Sequence, residues 1–257
     1  TDEDIKWADV VVIDEAHHEA MMSIQNQLDN IGELPILGLT ATPDRPDGMV
    51  IKFEEIVAPM SREQAVSEGW LAETSIYSYV DMSSNNKTEV VCDILAEYAH
   101  TMGQTMIFMK TRAEVAAVTE FLVSKGYSAI ALTTQTNNQI GEELDAFGRG
   151  ETQFLVNCAK IGEGVDVSGC TTVFLGRQLR SYTLLNQYVG RASRPDSECN
   201  VWELINPLAG NNLDTTVVVG TPKAHTLIHE QDGQFIENEF NYVGHQTGMV
   251  SGLTMFG

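Results

Sequence analysis

A chain of 257 residues suits one large domain or two smaller ones, each able to bury a core. Apolar residues make up 43% of it, yet no window holds the run of about 20 that a membrane helix needs, and no basic-then-apolar leader opens the chain, so a soluble cytoplasmic protein is expected. The formal net charge of −21, from 15 Lys plus Arg against 36 Asp plus Glu, repels phosphate, so any contact with nucleic acid would need a local basic patch.

A short acidic lead, Thr1 to Asp9, runs into Val10-Val11-Val12-Ile13-Asp14-Glu15-Ala16-His17. Four β-prone apolar residues suit a strand covered on both faces, as in a parallel α/β sheet. Asp14 and Glu15 then fall at its carboxyl end, where open α/β sheets place their ligands. A strand that would be central in its sheet follows directly on the lead, so the chain is expected to be the later part of a longer polypeptide. His18 to Leu28 has apolar residues at helical spacing, and Ile36 to Thr42 reads as a second short strand ending in hydroxyls. Pro43 to Gly48 has the composition of a loop, and Ser61 to Gly69 reads as a short capped helix.

Ser75 to Val80 is expected as a strand, followed by a polar turn. From Lys87 helix and strand alternate. The pattern gives helix Thr88 to His100, strand Thr105 to Met109, helix Arg112 to Lys125, strand Ser128 to Leu132 and helix Gln139 to Phe147. Strands Phe154 to Asn157 and Thr172 to Leu175, helix Tyr182 to Ala192 and strand Asn200 to Ile205 complete it. Such alternation implies an α/β fold with a mostly parallel sheet and helices on both faces. Beyond Pro207 it stops, and Asp232-Gly233 between two apolar-rich runs predicts a hairpin with a two-residue turn. The cysteines, Cys92, Cys158, Cys170 and Cys199, form no CxxC pair, which speaks against a zinc site or a disulfide framework.

Three stretches could carry chemistry. Neighbouring carboxylates at a strand end can divide labour, Asp14 holding magnesium directly or through water while Glu15 takes a proton from an attacking water. The same pattern also occurs at strand ends with only a solvated turn. On the helix from Tyr182, Leu185, Tyr188, Val189 and Ala192 form one apolar face, leaving Gln187, Arg191 and then Arg194 on the other. Outward arginines suit a γ-phosphate held by a neighbouring domain, and equally a solvated basic face. The loop Ala159 to Asp166 is Gly-rich at a strand end, where Asp166 could accept from a ribose hydroxyl or where an ordinary loop could lie.

Together, Asp14-Glu15-Ala16-His17, Thr40-Ala41-Thr42, the Gly164 and Asp166 loop, and Gln187-x-x-Gly-Arg191-x-x-Arg194 stand in the order and approximate spacing of elements II, III, V and VI of superfamily 2 helicases. The chain resembles that family from about Asp9 to Ile205. Gly38 to Gly48 is most similar to the branch holding XPB-like and RadD-like DNA helicases, restriction-enzyme translocases and phage relatives, so a prokaryotic or phage source is expected. The resemblance implies tandem RecA-like domains, the first incomplete: residues 1–60 the end of domain 1, 61–80 a linker, 81–206 domain 2 and 207–257 a small β-containing tail.

It also implies an ATP-dependent helicase or translocase, acting on duplex DNA, with ATP and Mg²⁺ in the cleft between domains. Asp14 would hold magnesium and Glu15 would activate water. His17 would bond Gln187 across the cleft, and Thr40 and Thr42 would couple nucleotide state to strand movement. Gly164 and Asp166 would contact nucleotide, Arg191 and Arg194 would be arginine fingers, and Lys110, Thr111 and Arg112 would match element IV at the nucleic acid. No Gly-x-x-x-x-Gly-Lys-Thr or Ser occurs in the sequence, so the phosphate-cradling loop of the family is missing. That departure leaves a second expectation: a non-catalytic binding module, or half of a split helicase whose partner chain carries the loop.

Overall fold

The computed structural model describes residues 8–16, 34–40, 53, 57–82, 86–133, 137–158, 167–195, 197–207 and 213–240. The helix expected at His18 to Leu28 lies outside these residues. The first described elements are two short strands, β1 (Val11–Ile13) and β2 (Ile36–Gly38), paired in parallel with Val12 opposite Leu37. Val10 and Val12 on β1's side, and Leu37 and Leu39 on β2's, are 51%, 54%, 42% and 48% exposed. Such a strongly apolar pair suits a sheet buried on both faces, and here one face is open among the described residues.

The remaining strands form a single eight-stranded sheet in the order β10-β9-β3-β8-β7-β4-β6-β5. In chain order its elements are α1 (Arg62–Ser67), β3 (Thr74–Val80), α2 (Lys87–Tyr98), β4 (Thr105–Phe108), α3 (Arg112–Ser124), β5 (Ala129–Leu132), α4 (Asn137–Gly148) and β6 (Phe154–Asn157). There follow β7 (Thr172–Leu175), α5 (Tyr182–Gly190), β8 (Cys199–Ile205), α6 (Thr216–Val219), β9 (Ala224–Gln231) and β10 (Gln234–Glu239). Every pairing is parallel except that of β10 with β9. The expected elements from residue 61 to 205 are present, with ends displaced by at most two residues.

Every residue of β4, β6 and β7 is buried, as expected of central parallel strands. Side chains alternate between the sheet's faces. Met106, Phe108, Leu155, Val173 and Val201 pack with Leu144 and Phe147 of α4 and Leu185 and Val189 of α5. On the other face Ile107, Phe154, Val156, Phe174 and Trp202 pack with Ile94 and Leu95 of α2 and Val115, Val118 and Leu122 of α3. Phe108 stacks on Tyr188 at 3.6 Å between ring centroids, which seats α5 directly on β4.

Two stretches assigned outside domain 2 are integral to this sheet. Residues 74–80, expected to join the domains, pair with β8 on one side and β9 on the other. The expected tail supplies β9 and β10, whose Asp232-Gly233 turn has φ of +52° and +76°, both left-handed as a type I′ turn requires. A buried polar network fastens β9 there. The Ser78 hydroxyl donates to Glu203 Oε1 at 2.7 Å and lies 2.8 Å from His225 Nε2, while Thr215 donates to the other Glu203 oxygen. With the Ser78 proton committed to Glu203, His225 is the donor to Ser78.

Burial lowers the His225 pKa from 6.5, against the opposing pull of Asp214, and burial of Glu203 raises its pKa from 4.5. As pH falls below 6.5 the unfolded chain takes up the His225 proton first, so stability is lost there, whereas Glu203 acts in the opposite sense nearer 4.5. His225→Gln keeps a donor and removes the titration. Its melting temperature relative to wild type should therefore rise between pH 6.5 and about pH 5; parallel pH curves for the two proteins would contradict this.

Candidate functional site

The acidic candidates are placed by backbone hydrogen bonds at the ends of β1 and β2. Val11 N donates to Pro35 O at 2.9 Å, Leu39 N to Ile13 O at 2.8 Å, and Ala16 N to Leu39 O at 2.8 Å. The turn at residues 14–16 is thus zipped onto the end of β2, which brings Thr40 to the same edge as Asp14 and Glu15. Ala16 is buried, and a Cβ on Gly38 would lie 2.9 Å from Ala16 Cβ and 2.6 Å from Phe53 Cζ. Packing demands small residues at both positions.

Glu15 has φ of +51°, in the left-handed region that glycine favours. A non-glycine residue held there costs about 1–3 kcal/mol and occurs where the surrounding structure over-determines it. Its amide is satisfied locally, donating to Asp14 Oδ1 at 2.9 Å. Asp14 is exposed and Glu15 half-buried, so both carboxylates can meet a ligand. An exposed aspartate at a strand end is an oxygen donor of the kind magnesium takes, since that ion commonly uses one or two carboxylates and completes its shell with phosphate and water. His17, Thr42, Gly164 and Asp166 lie outside the described residues.

In the eight-stranded sheet, α5 buries Leu185, Tyr188 and Val189 and leaves Gln187 half-buried. Ser181 caps its start, accepting from Leu184 N at 3.4 Å. The helix closes at Gly190, two residues before the expected end, so Arg191 is its C-cap and Arg194 lies in the following turn; both are half-buried. Gly190 is exposed, and a Cβ there would meet nothing within 4 Å.

Lys110, Thr111 and Arg112 sit at the carboxyl end of β4, all exposed. The first two amides are engaged: Lys110 N and Thr111 N donate to Glu114 Oε2 at 3.0 and 2.7 Å, while Glu114 N donates to Thr111 Oγ1 at 3.2 Å. This is a capping box that starts α3. Thr111 Oγ1 thus accepts from the helix start, and its hydroxyl stays exposed at the strand end with the side chains of Lys110 and Arg112. The Thr111-x-x-Glu114 spacing is the signal in the sequence that marks the box.

Sequence reasoning missed a second arginine site. Arg62 of α1 donates from Nη2 to Ser193 Oγ at 2.6 Å and to Thr74 Oγ1 at 3.2 Å, and its Nε is buried without a hydrogen-bond partner. Ser193, between Arg191 and Arg194, donates to Val189 O at 3.0 Å and lies 3.3 Å from Cys199 Sγ. Burial lowers the Arg62 pKa. Arg62 therefore ties the segment before β3 to the turn that carries both candidate fingers. No local pattern reveals a contact across 131 positions.

Residues 86–196 match the family described as helicase conserved C-terminal domain, and residues 2–45 match the type III restriction enzyme, res subunit. Among curated proteins the chain is 26% identical to IRC3 of Saccharomyces cerevisiae, named as an ATP-dependent helicase, over 84% of this chain and 37% of that protein. It is also 26% identical to a 51.5 kDa protein of a Lactococcus phage over 72% of this chain and 46% of that protein. The chain thus spans less than half the length of these relatives. Among solved structures, Saccharomyces cerevisiae Dbp5 bound to RNA and ADP BeF3 superposes with a TM-score of 0.59 at 13% identity, covering 86% of this chain and 59% of that one. The C-terminal domain of the DEAD-box protein Dbp5 gives 0.52 at 16% identity, covering 62% and 91%. The fold is that of RecA-like helicase domains.

The Arg62 contact makes an asymmetric prediction. Ser193→Ala leaves a buried guanidinium short of an acceptor and should cost about 2 kcal/mol in urea unfolding, whereas Arg62→Met removes the charge together with its desolvation and should cost less. A larger loss for Arg62→Met than for Ser193→Ala would contradict the tie as described.

Proposed function

We propose that this chain, which belongs to the superfamily 2 helicases, carries hydrolytic and coupling parts of an ATP-dependent motor that moves along or separates duplex DNA in a prokaryotic or phage-infected cytoplasm. The observation that carries this reading is Glu15, a carboxylate held in left-handed backbone at a strand's carboxyl end, directly after Asp14 and zipped beside Thr40. Strain of that kind is expected where a group must be aimed at a reacting atom.

In this reading ATP lies in a cleft between two RecA-like domains. Asp14 holds magnesium, which screens charge on the phosphates. Glu15 orients the attacking water and takes its proton, while Arg191 and Arg194 stabilise charge developing on the transferred phosphoryl group. Gln187 pairs with His17 across the cleft, and Gly164 and Asp166 meet the nucleotide. Thr40 and Thr42 pass the nucleotide state to the nucleic-acid track, where Lys110 and Arg112 contact phosphate. Local contacts of this sort need not follow the sign of the whole chain. The open apolar face of β1 and β2 takes the further strands and helices of the first domain as its cover.

The match to a restriction-enzyme subunit supports DNA, while the likeness to an RNA-bound Dbp5 calls for RNA as a comparison. A second reading is a binding module that works with a separate chain carrying a phosphate loop.

The test is ATP turnover by the protein with duplex DNA, single-stranded DNA and RNA. Duplex DNA should stimulate turnover most. Glu15→Gln should lower it by about 10² to 10⁴ and Arg194→Ala by about 10³ or more, with nucleotide binding retained. Wild-type turnover in Glu15→Gln overturns the general-base role. Absence of turnover that returns on adding a phosphate-loop chain would select the split form.

A further inference from the structure

The amino ends of β3, β7 and β8 enclose a feature that the motor reading does not use. In register, Ser75 pairs with Asn200 and Asn200 with Thr172, so these residues form one row on a single face of the sheet. Two positions further along the same face stand Tyr77, Trp202 and Phe174. Tyr77 stacks on Trp202 at 4.5 Å with 9° between planes, and Tyr98, from the end of α2, tilts against Trp202 at 5.0 Å. Above this floor lies a cavity of about 620 Å³, within the 300–1,000 Å³ or so that small-ligand sites occupy.

Its charge is one-sided. Among the described residues, Glu73, Glu198 and Glu237 line it against a single cation, Lys223: three carboxylates and one ammonium, a net −2. All three glutamates are exposed at the rim, and no described cation pairs with them. Glu237 instead accepts from the Tyr98 hydroxyl at 2.8 Å. Burial raises the Tyr77 pKa, and the charges of Glu198 and Glu237 raise it further, as expected for carboxylates facing that ring. Thr172, fully buried, also lines the cavity, and its hydroxyl is buried without a hydrogen-bond partner. A buried hydroxyl left unpaired at a cavity wall marks a place where a ligand or water completes the bonding.

We propose that this cavity binds a guanidinium-bearing cation. Half-buried tyrosine rings beside uncompensated carboxylates attract a cation through both ring quadrupole and charge. A planar guanidinium suits the site better than an ammonium ion, because it stacks on rings, is more weakly hydrated and presents a fork of donors to carboxylates and hydroxyl. Phosphate-bearing ligands are repelled by the same charges. The site lies at the amino ends of the strands, on the face away from α5, whereas Lys110 and Arg112 follow a carboxyl end, so it can be filled independently of nucleic acid held there. The cation can be a free molecule or an arginine side chain from a basic partner, and these share one chemistry.

Calorimetric titration with agmatine, with an acetylated Gly-Arg-Gly-Arg peptide and with spermidine tests this. Agmatine or the peptide should saturate the protein with a Kd below about 1 mM, and the isosteric Glu198→Gln/Glu237→Gln double variant, with its melting temperature checked, should bind about tenfold or more weakly. A peptide at least about tenfold tighter than agmatine identifies a protein source, and equal affinity a small molecule. No saturation by either at about 10 mM, unchanged binding by the double variant, or spermidine binding as tightly as agmatine overturns the proposal.

Discussion

Parallel hydrogen bonding across seven adjacent strands is the constraint on which the rest depends. A parallel neighbour cannot follow through a tight turn, so each strand from β3 to β8 returns by a crossover, and helices come to cover both faces. With β4, β6 and β7 fully buried, the centre of the sheet is committed to packing. Chemistry is driven to the strand ends, and because the strands run the same way, their carboxyl ends share an edge. Lys110 follows β4 on that edge. The short pair β1 and β2 obeys the same rule on a smaller scale, delivering Asp14, Glu15 and Thr40 to one edge through three backbone hydrogen bonds.

The strand ends are held with unequal firmness, and the differences are chemical. Glu15 is held by backbone, through bonds on both sides of it and an amide closed onto Asp14. The turn carrying Arg191 and Arg194 is held by backbone bonds, among them Ala72 N to Ser193 O, and also by side chains, through Ser193 and a half-buried Arg62 reaching from a helix outside the sheet. At the same amino edge, on the sheet's other face, aromatic packing of Tyr77, Tyr98 and Trp202 leaves room for a cavity walled by carboxylates.

Much of this was legible in the sequence because it is local. The helix and strand alternation from residue 87 to 205 follows from apolar spacing, and Asp232-Gly233 announced its turn because few residue pairs tolerate two successive positive φ values. The apolar face of α5 followed from Leu185, Tyr188 and Val189 at helical spacing. What was not legible is nonlocal. That β3 sits between β8 and β9, making the last hairpin part of the same sheet, depends on pairing across more than a hundred residues. The Ser78, Glu203 and His225 network and the Arg62 to Ser193 bond are contacts of the same kind. The capping box of Thr111 and Glu114 is local and was legible in their spacing.

Nucleotide is expected to act through the acidic turn that follows β1 and through the segment ending α5. Amide hydrogen exchange of the protein, with and without a non-hydrolysable ATP analogue and Mg²⁺, reads this residue by residue. Slower exchange concentrated at residues 12–16 and 187–194 is the predicted result. Protection confined to the hairpin of β9 and β10, with those two segments unchanged at saturating nucleotide, would contradict it.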